Sequence, residues 1–349
     1  MGPSSYRRRR AALLLAGLGV ALLLAALANA AIGAVRVPPE RVLAVVADHL
    51  GIRIGSPVTP AEDAVVWTIR LPRLVLATTV GAALAASGAL LQGVFRNPLA
   101  EPSVIGVSSG AAVGAVAAIV GGFGRFGSAS VPLAAFVGAL AAATVVYLAA
   151  RSQGRTDTVA LILSGVAVNV MASAATGLLT YVADDNQLRD IVFWTLGSAG
   201  GATWPVVRTA LVPVAAVLLA LPFLAPRLDL LALGEREAGH LGVDVERLRL
   251  AAVALASLAT ACAVATAGVV GFVGLVAPHL VRMTVGPHHR VLLPASALGG
   301  AVLVLVADLG ARTIAAPQEL PLGVLTALAG GPYLLWLIRR TRPADATLP

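Results

Sequence analysis

Lysine is absent from this 349-residue chain, and all 25 of its basic residues are arginine. A Walker A loop needs its lysine on the nucleotide phosphates. The chain therefore carries no such ATP site, and any ATP hydrolysis it depends on must come from a partner. Charge of either sign is scarce, at 12% of residues, where a soluble domain carries about 25%. Aromatic residues amount to 4%. Cys262 is the single cysteine, which excludes an internal disulfide and places a small side chain inside an apolar run. Asp184–Asp185 is the one adjacent aspartate pair, and it lacks the spacing of paired metal-binding motifs that a membrane prenyl- or phosphotransferase would need. Carboxylates inside the apolar runs, which a proton-coupled secondary transporter would need, are almost confined to Asp308.

What fills the chain is apolar: 58% of residues, with mean hydropathy +0.90. A spanning helix takes about 20 such residues. Reading the apolar runs between polar breaks gives ten spans, near 11–35, 71–94, 103–122, 131–150, 159–182, 204–226, 248–268, 269–285, 291–311 and 322–338. The runs are too continuous for the roughly ten-residue alternating segments of a membrane β-barrel. The expected fold is an all-α polytopic membrane protein, one transmembrane domain over residues 1–349 with no soluble domain. Arg7–Arg10 ahead of the first run resembles a signal peptide, but residues 11–35 far exceed a signal core of about 7–15 residues, which favours a retained helix.

The arginines lie between apolar runs, which argues against nucleic acid and for the positive-inside bias. With the N-terminus inside, sixteen arginines fall inside and nine outside, giving both termini inside. Arg342 belongs to the inner set and Arg36, Arg41 and Arg53 to the outer one. Residues 36–68 and 183–200 then become extracytoplasmic segments. In the first, Val42, Val45, Val46 and Leu50 have the register of an amphipathic surface helix. Residues 231–249, with alternating charges around Leu241 and Val243, suit a helix–turn–helix under the inner face. Gly106, Gly110 and Gly114 have the small-residue spacing of close helix packing.

The stretch AGVVGFVGLVAPHLVR, residues 267–282, is interrupted by Gly268, Gly271, Gly274, Pro278, His279 and Arg282. A helix that only crossed lipid would not need these breaks, because irregular backbone and ionisable groups survive at membrane depth only against protein or a water-filled path. His279 has no neighbouring Cys, Asp or Glu at ligand spacing, so a metal site is not expected. His279 and Arg282 are expected to bond free carbonyls at a hinge, and His288 and His289 to be solvated. Asp308 and Arg312 share a helix face at i,i+4 and are expected to pair. Asn97 and Glu101 are expected to cap helix ends.

In order along the chain stand RLPR (70–73), GALLQGVFRNPLAEPSVIGVSSGA (88–111), the W-x-L-G-S of 194–198, LGEREAGHLGV (233–243), GVVGFVGLVAPHLVR (268–282), GPHHRVLLPASALGGA (286–301), ADLGAR (307–312) and ELPLGVLTALAGGPYLLWL (319–337). In this joint order the chain resembles the FecCD family, permease subunits of ABC importers for ferric siderophores, haem and cobalamin. Pro287 stands where that family commonly has Asp. The resemblance implies ten helices per subunit and a second permease subunit, either a homodimer or a heterodimer with a paralogue. It also implies two cytoplasmic ATPase subunits holding ATP and Mg, and an extracytoplasmic substrate-binding lipoprotein. No cofactor is expected on this chain, which would sit among lipid in the cytoplasmic membrane of a bacterium. By the same resemblance Arg70, Arg73 and Arg312 would dock the binding protein, and Gly234, Ala238, Gly242 and Val243 would form the ATPase coupling segment. Thr156 and Thr158 would stand at the inner gate. A ferric siderophore is the expected cargo, with haem or cobalamin as alternatives.

Overall fold

The computed structural model describes residues 3–33 and 35–341. Arg342 lies outside the described residues. Fourteen helices follow in order: α1 (Pro3–Ala31), α2 (Pro39–His49), α3 (Pro60–Asp63), α4 (Leu71–Val94), α5 (Val107–Val120), α6 (Ser130–Ala149), α7 (Thr158–Tyr181), α8 (Asp185–Leu196), α9 (Trp204–Leu231), α10 (Glu235–His240), α11 (Val245–Ala267), α12 (Val273–Val285), α13 (His289–Thr313) and α14 (Leu322–Thr341). A π-helical turn, Ala64–Arg70, joins α3 to α4, and the two-residue strands β1 (Arg151–Ser152) and β2 (Arg155–Thr156) make a hairpin between α6 and α7. Among the described residues seven helices are long and apolar enough to cross a membrane, and α5, α12 and α14 are shorter apolar helices. Together they are the ten spans expected.

At the centre stands α4, in which twenty of 24 residues are buried. Its residues are mostly Ala, Gly, Leu, Val and Thr, so neighbouring backbones can come close on every side. A Cβ on Gly88 would stand 1.8 Å from the carbonyl oxygen of Gly274 on α12, and one on Gly81 would stand 2.2 Å from that of Gly300 on α13. These two approaches fix the depth at which α12 and α13 cross α4. Around this axis pack α9, α11, α12 and α13, with α1 outermost against α13 and the α5–α6–α7 group on the other flank. Gly110 and Gly114 set the α5–α6 approach against Gly138 and Ala134. Gly106 departs from the expected series: it is a left-handed residue (φ 79°) that starts α5 rather than part of its packing face.

Two spans begin later than the sequence indicated. α5 starts at Val107 after a 3-10 turn at Pro102–Ile105, and α12 starts at Val273 rather than 269. At about 1.5 Å per residue the 13 residues of α12 rise roughly 20 Å, less than the roughly 30 Å hydrocarbon core. The chain therefore runs without helix through part of the membrane depth at 268–272, and there it is enclosed by protein, as irregular backbone in a bilayer must be.

Outside, α2 buries Val42 and Val45 against Ala30, Val37 and Val66, while Leu50 is exposed just past its end. The 35 residues from Pro60 to Val94 would extend about 50 Å, so the first turns, including α3, stand clear of the bilayer. α8 begins with a capping box in which Asp184 accepts from the backbone of Asn186 and Gln187. That gives the Asp184–Asp185 pair a structural role.

Candidate functional sites

Polar side chains concentrate at three levels of the bundle. At the outer end, Arg73 on α4 donates from Nε to Asp308 Oδ1 (2.9 Å) and from Nη1 to both oxygens of Glu319 (2.9 Å each). Arg312, one turn after Asp308 on α13, lies 3.4 Å from its Oδ2, the i,i+4 pair expected. Its Nη2 also donates to Asn29 Oδ1 (2.8 Å) on α1, and Asn29 in turn donates to the Leu305 carbonyl (3.0 Å). The Asp308 carboxylate, 1% exposed, thus sits between two guanidinium groups, an arrangement that compensates a charge inside a bundle.

Arg70 bonds neither Asp308 nor Glu319 but the end of α1, which Arg312 also reaches through the Asn29 and Ile32 carbonyls. Arg70 Nη1 donates to the carbonyls of Ala30 (2.7 Å) and Ala31 (3.0 Å) and its Nη2 to that of Val35, so it closes the C-terminus of α1, where helical carbonyls lack partners. The three arginines expected on the docking surface are therefore engaged inside the chain, with Arg70 and Arg73 buried. The physical reason is that a helix end and a buried carboxylate offer a guanidinium partners without the cost of ordering a side chain in solvent. Glu319 is the half-exposed member of the group.

At mid-depth lies the break between α11 and α12. Gly268 ends α11 with φ 70°, and a Cβ there would meet the Trp194 carbonyl at 2.2 Å. The Ala267 carbonyl accepts from Ser198 N (2.8 Å), and Leu322 N donates to the Gly197 carbonyl (2.9 Å), so the α8–α9 and α13–α14 connections grip the break. Gly271 has open space around it. Phe272, at φ 66°, turns the chain into α12, and its N–H donates to Glu101 Oε1 (3.0 Å). Glu101 thus caps a helix end, as expected, but that of α12, reached across the bundle from the α4–α5 connection. A carboxylate is favoured there by the helix dipole. Asn97 only closes its own turn, accepting from Leu99 N.

His279 and Arg282 depart from the hinge reading. Neither ring nitrogen of His279 has a hydrogen-bond partner, and its ring stands edge-on to Tyr333 of α14. Arg282 donates to the Gln92 side chain (2.8 Å) rather than to a carbonyl, and it is Gln92 that donates to a backbone carbonyl, that of Gly274 (3.2 Å). Pro278 lies inside a continuous α12, so the interruption is at 268–272 and not at the proline.

On the inner side, residues 231–249 form the helix–turn–helix expected. Gly234 (φ 135°) opens α10, Ala238 is fully buried, Gly242 (φ 84°) makes the turn, and Val243 is buried while its N–H donates to the Ala238 carbonyl (3.0 Å). Nothing lies within 4 Å of a Cβ on Gly242, and Leu233 and Leu241 are exposed beside it. The segment is held by one of the inner arginines. Arg249, 2% exposed, donates to Glu235 (2.6 Å), to Glu246 (2.6 Å) and to the Thr156 carbonyl (2.6 Å). The other oxygen of Glu246 accepts from Thr156 N (3.0 Å). Glu246 and Arg249 lie one turn apart on α11, while Glu235 and the Thr156 carbonyl reach Arg249 from other segments.

Thr156 is buried in that hairpin, its hydroxyl 3.3 Å from Tyr147, and Thr158 begins α7 behind the N-cap Asp157. The two gate candidates thus sit at one helix start, and Thr156 connects it to the coupling segment. His288 is exposed as expected, but His289 is buried: its backbone N and its Nδ1 each lie 2.8 Å from Asp229 Oδ1. Among the described residues no three His, Cys, Asp or Glu side chains gather as a metal site would require.

Comparison with known proteins accounts for this layout. Residues 13–340 match the FecCD transport family. The chain is 47% identical over 292 residues to the hemin transport system permease protein HmuU of Yersinia pestis, covering 81% of this chain and 86% of that one. It is 49% identical over 291 residues to the cobalamin import system permease protein BtuC of Halobacterium salinarum, covering 82% and 76%. A solved structure described as an inward-facing conformation of a metal-chelate type ABC transporter superposes with TM-score 0.81 at 35% identity, over 93% of this chain and 98% of that one. The ATPase of such a transporter is a separate subunit, in keeping with a chain that has no lysine. A broken helix at mid-depth, a protruding inner helix–turn–helix and these matches lead to one conclusion: the chain belongs to the FecCD transport family and is a multi-pass ABC importer permease.

Proposed function

We propose that this permease carries a ferric siderophore across the cytoplasmic membrane of a bacterium, as a dimer with a second permease subunit, two ATPase subunits and an extracytoplasmic binding lipoprotein. The inner clamp supports ATP-driven coupling, and likeness to a solved metal-chelate type ABC transporter supports the cargo. Arg249 ties the exposed coupling segment to the start of α7, so a push on α10 is delivered to a helix whose outward face is apolar and unpaired within this chain. Among the exposed side chains of α7 are Leu163, Val170, Met171 and Leu178, the kind of surface a second subunit would cover. Leu233, Leu241 and the open turn at Gly242 offer the ATPase a small apolar contact. Docking of a binding protein through Arg73 would require Glu319 to yield its place.

Haem and cobalamin are the alternatives, supported by 47% identity to a hemin permease and 49% to a cobalamin permease. The test is reconstitution of the permease with its ATPase and binding protein in liposomes, followed by ATP-dependent uptake of iron-55 siderophores, haemin and cobalamin. Siderophore uptake that needs both partners supports the proposal. Uptake of haemin or cobalamin alone would replace the cargo, and uptake without ATP would overturn the importer mechanism.

A further inference from the structure

An elongated hollow runs between α9 and α13 on the inner half of the bundle. Two adjoining cavities of about 600 and 640 Å³ meet at Pro226 and Arg290, which line both. The walls are apolar: Leu218, Leu221 and Ala225 from α9 face Leu293, Ala297 and Leu298 from α13. Prolines account for the gap, since Pro222, Pro226 and Pro294 all line it, and each removes a backbone donor and distorts the turn before it. From Leu218 to Leu230 lie thirteen residues, about 18 Å of helix, against roughly 15 Å for one leaflet of hydrocarbon.

The inner mouth holds one exposed guanidinium, that of Arg290. His288 also lines the mouth and is exposed, and Ala11, which follows the arginine run of α1, forms part of its rim. The one carboxylate there, Asp229, is held by the backbone and ring of His289. A guanidinium at the level of lipid headgroups offers a phosphate two parallel donors, and basic pockets between helices on the cytoplasmic side are suited to anionic headgroups. We propose that this groove binds one anionic phospholipid of the inner leaflet, an acyl chain between α9 and α13 and the phosphate on Arg290. Leu230, at the mouth, lies four residues before Gly234, so the lipid braces the helix that carries the coupling segment.

The full chain, purified in dodecylmaltoside and supplied with palmitoyl-oleoyl phosphatidylglycerol or phosphatidylcholine, tests this by native mass spectrometry. The expected result is preferential retention of one phosphatidylglycerol. Arg290→Gln, at an exposed position that leaves the fold intact, should reduce that preference about fivefold, the worth of one arginine at a lipid surface. Leu298→Trp should reduce retention of both lipids by filling the groove. Equal retention of the two lipids by the wild-type chain, retention of detergent alone, or an unchanged preference in Arg290→Gln would overturn the proposal. None of these readouts depends on transport, so they stand apart from the identity of the cargo.

Discussion

Replacing Arg249 by alanine should both destabilise the permease and disconnect its coupling segment. The guanidinium makes three hydrogen bonds of 2.6 Å to three elements: α10 through Glu235, α11 through Glu246, and the α6–α7 hairpin through the Thr156 carbonyl. Buried charge-assisted bonds contribute about 1.5–3 kcal/mol each. Glu235 and Glu246 are 52% and 34% exposed, so both can rehydrate, and their share belongs at or below the low end of that range. The Thr156 carbonyl belongs to a residue only 4% exposed and would be left without this donor, at about 1–3 kcal/mol. The expected loss is about 3–4 kcal/mol, close to the cost of breaking a buried pair from one side. Arg249→Lys keeps the charge but offers a single point of contact, and should lose about half as much. SDS unfolding of the purified chain in mixed micelles measures the first effect. The ratio of transport to ATP hydrolysis in the reconstituted importer measures the second, which should fall in Arg249→Lys even where that variant remains folded. A change under about 1 kcal/mol in Arg249→Ala, with the ratio intact, would refute the clamp.

Three further expectations follow from other parts of the bundle. Gly88→Val drives side-chain atoms into the Gly274 carbonyl, where a bare Cβ already stands at 1.8 Å, and should lower stability by about 3 kcal/mol or more and sharply reduce recovery of folded protein from detergent. Glu101→Gln keeps an oxygen for the Phe272 N–H and should be nearly neutral, whereas Glu101→Ala should lose about 1–2 kcal/mol by SDS unfolding; equal effects would remove the capping role. In the outer segment, hydrogen bonding from Arg41 and then from the Thr59 backbone lowers the Glu62 carboxyl to about 2. A lowered acid stabilises the fold above its ordinary value near 4.5 and loses that contribution as pH falls towards about 2. Thermal unfolding between about pH 5 and pH 2 should therefore show a steeper acid loss in the wild type than in Glu62→Gln.

Much of this was legible in the chain because a bilayer simplifies the problem: apolar runs of a given length must be helices, and arginine placement orients them. Ten helices, the amphipathic α2 and the inner helix–turn–helix followed from those two constraints. The pair Asp308–Arg312 was readable because a helix brings residues four apart together. Helix depth was not readable. α12 is held at its depth where Gly88 meets Gly274, a contact between residues 186 positions apart, and α5 starts only after the left-handed Gly106.

Partner choice was the other part that the chain order concealed. Arg70, Arg73 and Arg312 stand at outer helix ends, where sequence alone allows docking, snorkelling or internal pairing. Only the packing of α1 and α13 against α4 brings Ala30, Asp308 and Asn29 within reach of them as partners inside the chain. His289 looked like its solvated neighbour until α9 placed Asp229 beside it. Sequence by itself determined the elements, their orientation and the family, since hydropathy and local motif order are written residue by residue. Tertiary structure alone decided which charges meet and at what depth the helices break, because each of those contacts joins segments that the chain holds far apart.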